Sequence, residues 1–257
     1  MEPSDQRPII QVSHLTAAYD GMVLLDDLSF DVHPAEVFGI LGSSGSGKST
    51  LLKHMIGLHR PVQGSILIAG KDITTADGQA RRELLTKIGV MYQQGALFGS
   101  MTLLKNVRLP LEEYTDLPDD AMDTIALMKL QLVGLETAAY KLPDEISGGM
   151  KKRAAIARAM ALDPRILFLD EPSAGLDPIL SAELDQLIIS LARNLHITFV
   201  VVTHELPSIE TIADRVIMLC ERTKKIIAQG QPKALRDHSE NPFVRQFFNR
   251  QTDDAVY

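Results

Sequence analysis

Eight consecutive residues constrain this chain more than any other feature: Gly42-Ser43-Ser44-Gly45-Ser46-Gly47-Lys48-Ser49. They read G-x-x-x-x-G-K-[ST]. The glycines let the main chain wrap closely, so that its N–H groups can turn toward phosphate oxygens. Val37 to Leu41, just before, is an apolar run of the kind that forms a strand buried on both faces. Ser49 to Ile56, just after, has helical composition, and Gly57 is a helix stop. A helix opening out of such a loop presents further N–H groups and the positive end of its dipole to an anion. In that setting Lys48 would bridge the β and γ phosphates of a nucleoside triphosphate and the Ser49 hydroxyl would ligate Mg²⁺. An accidental Gly/Ser-rich turn would not be expected to sit between a strand and a helix.

The rest of the chain supports an α/β fold. Leu28, Phe30 and Val32 alternate with Ser29 and Asp31, the period of a half-buried strand, and Pro34-Ala35-Glu36 turns the chain. Ile166 to Leu169 and Thr198 to Val202 read as buried strands. Between them Ile179 to Asn194 is a helix, with Leu180, Leu184, Leu187, Ile188 and Leu191 apolar. Strands alternating with helices imply a mostly parallel sheet with helices on both faces, preceded here by an antiparallel N-terminal β segment. From Leu103 to Leu162 there is no strong strand run, while Asp119 to Leu132 and Met150 to Ala161 read as helices. The expected division is a nucleotide-binding core over 1–92 and 163–240, an inserted helical subdomain over 93–162, and a tail over 241–257.

Composition narrows the class. The chain has 257 residues, enough to bury a core without disulfides or a structural metal. Its single cysteine, Cys220, excludes an intramolecular disulfide and argues against a cysteine zinc cluster, which fits a reducing compartment. A net charge of −7 counts against a dedicated nucleic-acid binder. Met1 to Pro8 is polar and lacks the apolar stretch of a signal peptide. The longest charge-free stretch, Ile88 to Leu104, carries Gln93, Gln94, Ser100, Thr102 and three glycines, a poor bilayer span.

Other residues carry chemistry. Asp170 and Glu171 end the Ile166 strand, where open α/β sheets place ligands. Asp170 fits a Mg²⁺ ligand acting through water, and Glu171 fits the group that orients and polarises the attacking water. Two solvated acids at a strand end are the simpler alternative. Thr203-His204 ends the next strand, where a histidine could contact the γ-phosphate or serve only structure. Ile146-Ser147-Gly148-Gly149-Met150 opens a helix, either as a second anion cradle or as a plain N-cap.

Taken in order over Ile9 to Gly230, these motifs resemble the ATP-binding subunits of ABC transporters, a P-loop NTPase family with a RecA-like core. Tyr19 stands where that family stacks an aromatic on adenine. Gly42 to Ser49 is its Walker A loop and Gln93 its Q-loop glutamine, which contacts Mg²⁺ and the attacking water. Ser147-Gly148-Gly149 is its signature loop, here followed by Met150 where Gln is commoner. Asp170-Glu171 is the Walker B end, Ala174 to Asp177 the D-loop, and His204 the switch histidine. The resemblance implies an ATPase using ATP and Mg²⁺. Gly42, Ser43, Ser44, Gly45, Ser46, Gly47, Lys48, Ser49 and Thr50 would hold nucleotide on one copy, and Ser147, Gly148, Gly149 and Asp177 would close on it from a second. Lys48, Gln93, Glu171 and His204 would serve hydrolysis, and Ser49, Gln93 and Asp170 would serve the metal. It also implies a head-to-tail dimer on the cytoplasmic face of the inner membrane, driving a permease through the Gln93 to Thr102 region and the helical subdomain, with no nucleic acid involved.

Three stretches most resemble the ATPases of Mla/Mce-type bacterial lipid transporters: Gln93 to Phe98 with Ser100-Met101-Thr102, Ile146 to Ala155, and Pro242 to Phe248. That subfamily implies a phospholipid cargo and a periplasmic lipid-binding subunit. Alternatives are an importer of another small solute, a soluble ABC ATPase acting on nucleic acid or the ribosome, and a nucleotide kinase; the last gives Ser147 and Asp177 no role. The cluster Phe243, Val244, Phe247 and Phe248 has the spacing of one helix face, which either clasps the second copy or docks on its own domain. Lys151-Lys152-Arg153 reads as a solvated helix face, Arg81-Arg82 as surface, and Cys220 as a buried small hydrophobe.

Overall fold

The structure, a computed structural model, describes residues 7–250. The polar N-terminal stretch up to residue 6 and the end of the tail, 251–257, lie outside the described residues.

In chain order the strands β1 (Ile10–Tyr19), β2 (Met22–Val32) and β3 (Val37–Gly42) lead into helix α1 (Lys48–Met55). Strands β4 (Gln63–Ile68) and β5 (Lys71–Asp72), helix α2 (Gly78–Leu85) and strand β6 (Ile88–Met91) follow. Helices α3 (Leu103–Tyr114), α4 (Asp119–Leu132) and α5 (Gly148–Ala159) come next. Then come β7 (Ile166–Asp170), α6 (Pro178–Leu195), β8 (Thr198–Val202), α7 (Leu206–Ile212), β9 (Arg215–Leu219), β10 (Ile226–Gly230), α8 (Pro232–His238) and α9 (Pro242–Asn249).

The described residues fall into two compact units, one holding those up to Ala76 and from Val200 onward, the other Asp77–Phe199. In the first unit, an antiparallel sheet runs in the order β2-β1-β4-β5. Its β1–β2 hairpin pairs Ile10 with Val32 and Tyr19 with Met22. A second set of strands places β9 between antiparallel β10 and parallel β3, with Phe38 opposite Arg215 and Gly42 opposite Leu219. All six residues of β3 are buried, as the unbroken apolar run predicts for a strand covered on both faces. Such burial stabilises by roughly 1.5–3 kcal/mol per large apolar side chain, and β3 thereby becomes a rigid base for the loop that follows.

In the second unit β6 and β7 pair in parallel, Ile88 with Ile166 through Met91 with Leu169. Gly89 is required there, since a Cβ would collide with the Ala159 carbonyl at the end of α5. Helices α3, α4 and α5 pack on one another through Leu104, Val107, Leu111, Met122, Ala126, Leu130 and Ile156, all buried. The expected helices over Asp119 to Leu132 and Met150 to Ala161 are present, although α5 begins at Gly148. Strand β6 and helix α3 carry no signal that reading the chain alone had picked out. The four residues of β6 are too few to show a period, and Pro110 interrupts the helical pattern of α3. No helix among the described residues is long and apolar enough to cross a membrane.

Candidate active site

In the first unit the glycine loop follows β3 directly. Gly42, Gly45 and Gly47 take φ values of 151°, 78° and 97°, which L side chains rarely adopt. At Gly42 a Cβ would strike the Ser46 hydroxyl and stand 2.7 Å from the Leu219 carbonyl; at Gly47 it would stand 2.6 Å from Leu25 Cδ2. The loop therefore has this shape only as glycine, and the shape turns the backbone inward. Lys48 Nζ donates to the carbonyls of Gly42 at 2.8 Å and Ser43 at 3.0 Å, folding over the loop.

Helix α1 starts at Lys48 with no side-chain cap and no acidic residue in its first turn. A helix start without a side-chain cap or an acidic residue presents its N–H groups and positive dipole end toward an anion. The buried Ser46 hydroxyl has no hydrogen-bond partner among the described residues. A cradle closed to Cβ atoms, an uncapped helix start and an orphaned hydroxyl fit a bound nucleotide phosphate with its Mg²⁺. The helix ends as Gly57 predicts: Gly57 N donates to the His54 carbonyl at 3.0 Å and Leu58 N to that of Lys53 at 2.8 Å. Tyr19, at the end of β1, is 72% exposed and offers an open ring face. His204, after β8, is exposed in the same unit.

In the second unit β7 delivers Asp170 and Glu171. Glu171 is 9% exposed and takes φ 47°, a left-handed conformation costing a non-glycine residue about 1 kcal/mol. Its carbonyl accepts from Ala174 N at 3.2 Å, closing the turn after the strand. Ser147 caps α5, its hydroxyl accepting from Met150 N at 3.3 Å. Asp177 caps α6, accepting from Ile179 N at 2.9 Å and Leu180 N at 3.0 Å. Both therefore have a local role, as the simpler reading of Ser147 had it. Gly148 and Gly149 do not need to be glycine for this chain's own packing. Neither has a positive φ, and a Cβ would meet only Leu176 at 3.8 Å or Leu180 at 3.5 Å, ordinary contacts.

The segment after β6 is pinned at both ends. Asn106 of α3, fully buried, accepts from Phe98 N at 2.7 Å and donates to the carbonyls of Phe98, Met101 and Thr102 at 3.1 Å each. Arg158 of α5 donates to the carbonyls of Ala96 at 2.6 Å and Gly95 at 2.9 Å. Lys152 donates to the Gln93 carbonyl and, at 3.3 Å, to that of Glu171. Here the sequence expectation is corrected. Lys152 is 8% exposed rather than part of a solvated face, because it shares the helix side of Ala155 and Ile156, both fully buried. That spacing, a charge three and four residues before buried apolar positions, was the signal that could have found it. Burial pushes the Lys152 ammonium below its ordinary pKa, against the pull of Glu171 and Asp170. Burial likewise lowers Arg158 and raises the Tyr92 phenol, the latter helped by the charge of Asp170. The Gln93 side chain stays exposed.

Cys220 is half-buried at the turn between β9 and β10 rather than in the core. The strand stops before it and the chain reverses, with Lys224 N donating back to its carbonyl at 2.9 Å.

The ABC transporter family profile matches residues 25–174, more than half of the chain. The chain belongs to that family, and its P-loop NTPase fold and ATPase activity with ATP and Mg²⁺ go with that membership. It is 43% identical over 240 residues to the probable ribonucleotide transport ATP-binding protein mkl of Mycobacterium leprae, covering 93% of this chain and 68% of that one. It is 39% identical over 248 residues to the intermembrane phospholipid transport system ATP-binding protein MlaF of Haemophilus influenzae, covering 96% of this chain and 93% of the relative. Among solved structures it resembles the dimeric ATP-binding cassette MJ0796 in a post-hydrolysis state bound to ADP and Pi. There the TM-score is 0.78 at 29% identity, with 86% of this chain and 98% of that one covered.

Proposed function

We propose that this ATPase is the motor of a bacterial phospholipid transporter, working as a head-to-tail pair of copies on the cytoplasmic face of the inner membrane. The observation that carries the lipid assignment is the near end-to-end correspondence with MlaF, 93% of whose length is matched. A ribonucleotide cargo is the second reading, favoured by the slightly higher identity to mkl, of which the chain spans about two thirds.

In this reading the α1 N-terminus, the loop amides and Lys48 hold the triphosphate, and Tyr19 stacks on its base. Mg²⁺, when bound, neutralises charge on the β and γ phosphates, with Ser49, Asp170 and Gln93 as the residues that would hold it. Glu171 takes the proton of the attacking water, and His204 reports the state of the γ-phosphate. Gly148 and Gly149 support the reading that the signature loop serves a second copy, because nothing among the described residues demands glycine there. Closing that loop over the other copy's nucleotide would excise water and complete each site from two chains. The Gln93 to Thr102 segment, braced on α3 and α5, would carry the closure to a permease; a periplasmic lipid-binding subunit would receive or supply the cargo.

The test is to purify the complex from membranes through a tag on this chain and place it in phospholipid vesicles. ATP-dependent movement of a fluorescent phospholipid is expected, and ribonucleotide uptake is not. Glu171→Gln should lower ATP turnover about a hundredfold or more while nucleotide binding persists. Turnover equal before and after that change would remove Glu171 from the chemistry, and ribonucleotide uptake without lipid movement would replace the cargo.

A further inference from the structure

Lys152 has no part in the proposed hydrolysis, yet it touches two residues that do, Gln93 and Glu171. It is the fifth residue of α5, about one turn in, on the side of the helix that carries Ala155 and Ile156, both fully buried. A buried ammonium is costly unless its N–H groups are satisfied. Its partners are two main-chain carbonyls, those of Gln93 and Glu171, 78 residues apart in the chain. The charges of Glu171 and Asp170 also act on it. Carbonyls report backbone position, so what Lys152 ties together is the path of two loops rather than a pair of charges. Arg158, further along the same helix, holds two more carbonyls of the first loop, those of Gly95 and Ala96. The carbonyls of Gln93, Gly95 and Ala96 are thereby held by α5, and the Glu171 turn, in a left-handed conformation, is joined to the same helix through Lys152.

We propose that Lys152 is a positioning residue for hydrolysis: its ammonium holds the Gln93 and Glu171 carbonyls together, so that the segment 93–96 and the turn bearing the Glu171 carboxylate move as one body. A displacement of that segment is then passed to Glu171 through the buried Lys152 side chain. The inference rests on the reading of Glu171 as the group that activates water.

The experiment compares Lys152→Met, which keeps the length and removes the donors, with Lys152→Arg, which keeps them, in the complex purified from membranes. Lys152→Met is expected to lower kcat about tenfold or more while KM for ATP stays within about twofold. Lys152→Arg is expected to recover kcat to within about threefold of the unaltered protein. The chain has no tryptophan, so Tyr92→Trp provides a lone indole beside Gln93. In the Lys152→Met background its fluorescence should become more open to acrylamide quenching, and Lys152→Arg should reverse this. Should Lys152→Met fail to fold, Lys152→Gln, which can donate to one carbonyl or the other but carries no charge, is expected to fall between the two. Unchanged kcat in Lys152→Met, or an equal loss in Lys152→Met and Lys152→Arg with no change in quenching, would overturn the proposal. Glu171→Gln measured alongside separates the two failures. If it too retains turnover, the role of Glu171 falls; if it abolishes turnover while Lys152→Met does not, only the link falls.

Discussion

At the scale of single residues, glycine does two different jobs in this chain. Gly42, Gly45 and Gly47 are glycine because the loop backbone is left-handed there, and at Gly42 and Gly47 a Cβ would also collide. Gly148 is glycine with an ordinary backbone and open surroundings. The two cases separate experimentally. Gly47→Ala should lose ATP binding and stability together, the latter by about 1–3 kcal/mol from strain and overpacking. Gly148→Ala should leave the melting temperature equal or slightly raised, since alanine is better than glycine within a helix by up to about 1 kcal/mol. It should nonetheless abolish ATP turnover, because the added methyl would stand where the second copy's nucleotide is proposed to dock. Thermal denaturation with a parallel ATPase assay checks both, and full activity in Gly148→Ala would move the signature loop away from nucleotide.

At the scale of elements, helix ends and faces show what was legible in the chain. The strand–loop–helix run from Val37 to Met55 was legible throughout, because an apolar run, a glycine pattern and a helix stop all point the same way. The face of α5 was misread at Lys152, since a Lys-Lys-Arg run is dominated by its charge until the helix is turned to show which of the three looks inward. The C-terminal cluster was left open between two partners and divides in the structure. Val244 and Phe248 of α9 are buried in their own unit, while Phe243 is 42% exposed. Phe248→Ala should therefore cost about 3–5 kcal/mol and Phe243→Ala under about 1 kcal/mol, as thermal denaturation would show. Equal effects would mean that α9 is not held by its buried face.

At the scale of the whole molecule, the site residues divide between the two units: Tyr19, the glycine loop and His204 in one, and Gln93, Ser147, Asp170, Glu171 and Asp177 in the other. A head-to-tail pair makes a prediction that no single-chain enzyme shares. Lys48→Ala and Ser147→Arg should each be inactive alone. Mixed together, half of the randomly formed pairs carry both chains, each with one of two sites intact, so turnover should return to about a quarter of the native rate. No recovery on mixing would exclude a site built from two copies. By itself the sequence determined the class of fold, the phosphate loop and the order of the motifs, because each rests on local spacing that folding leaves unchanged. Only the tertiary structure decided that Lys152 is buried between two loop carbonyls, that Asn106 and Arg158 brace the segment after β6, and that half of the α9 cluster is already covered. Those depend on which residues distant in the chain share one dry interior, and burial sets the cost of leaving a polar group unpaired there.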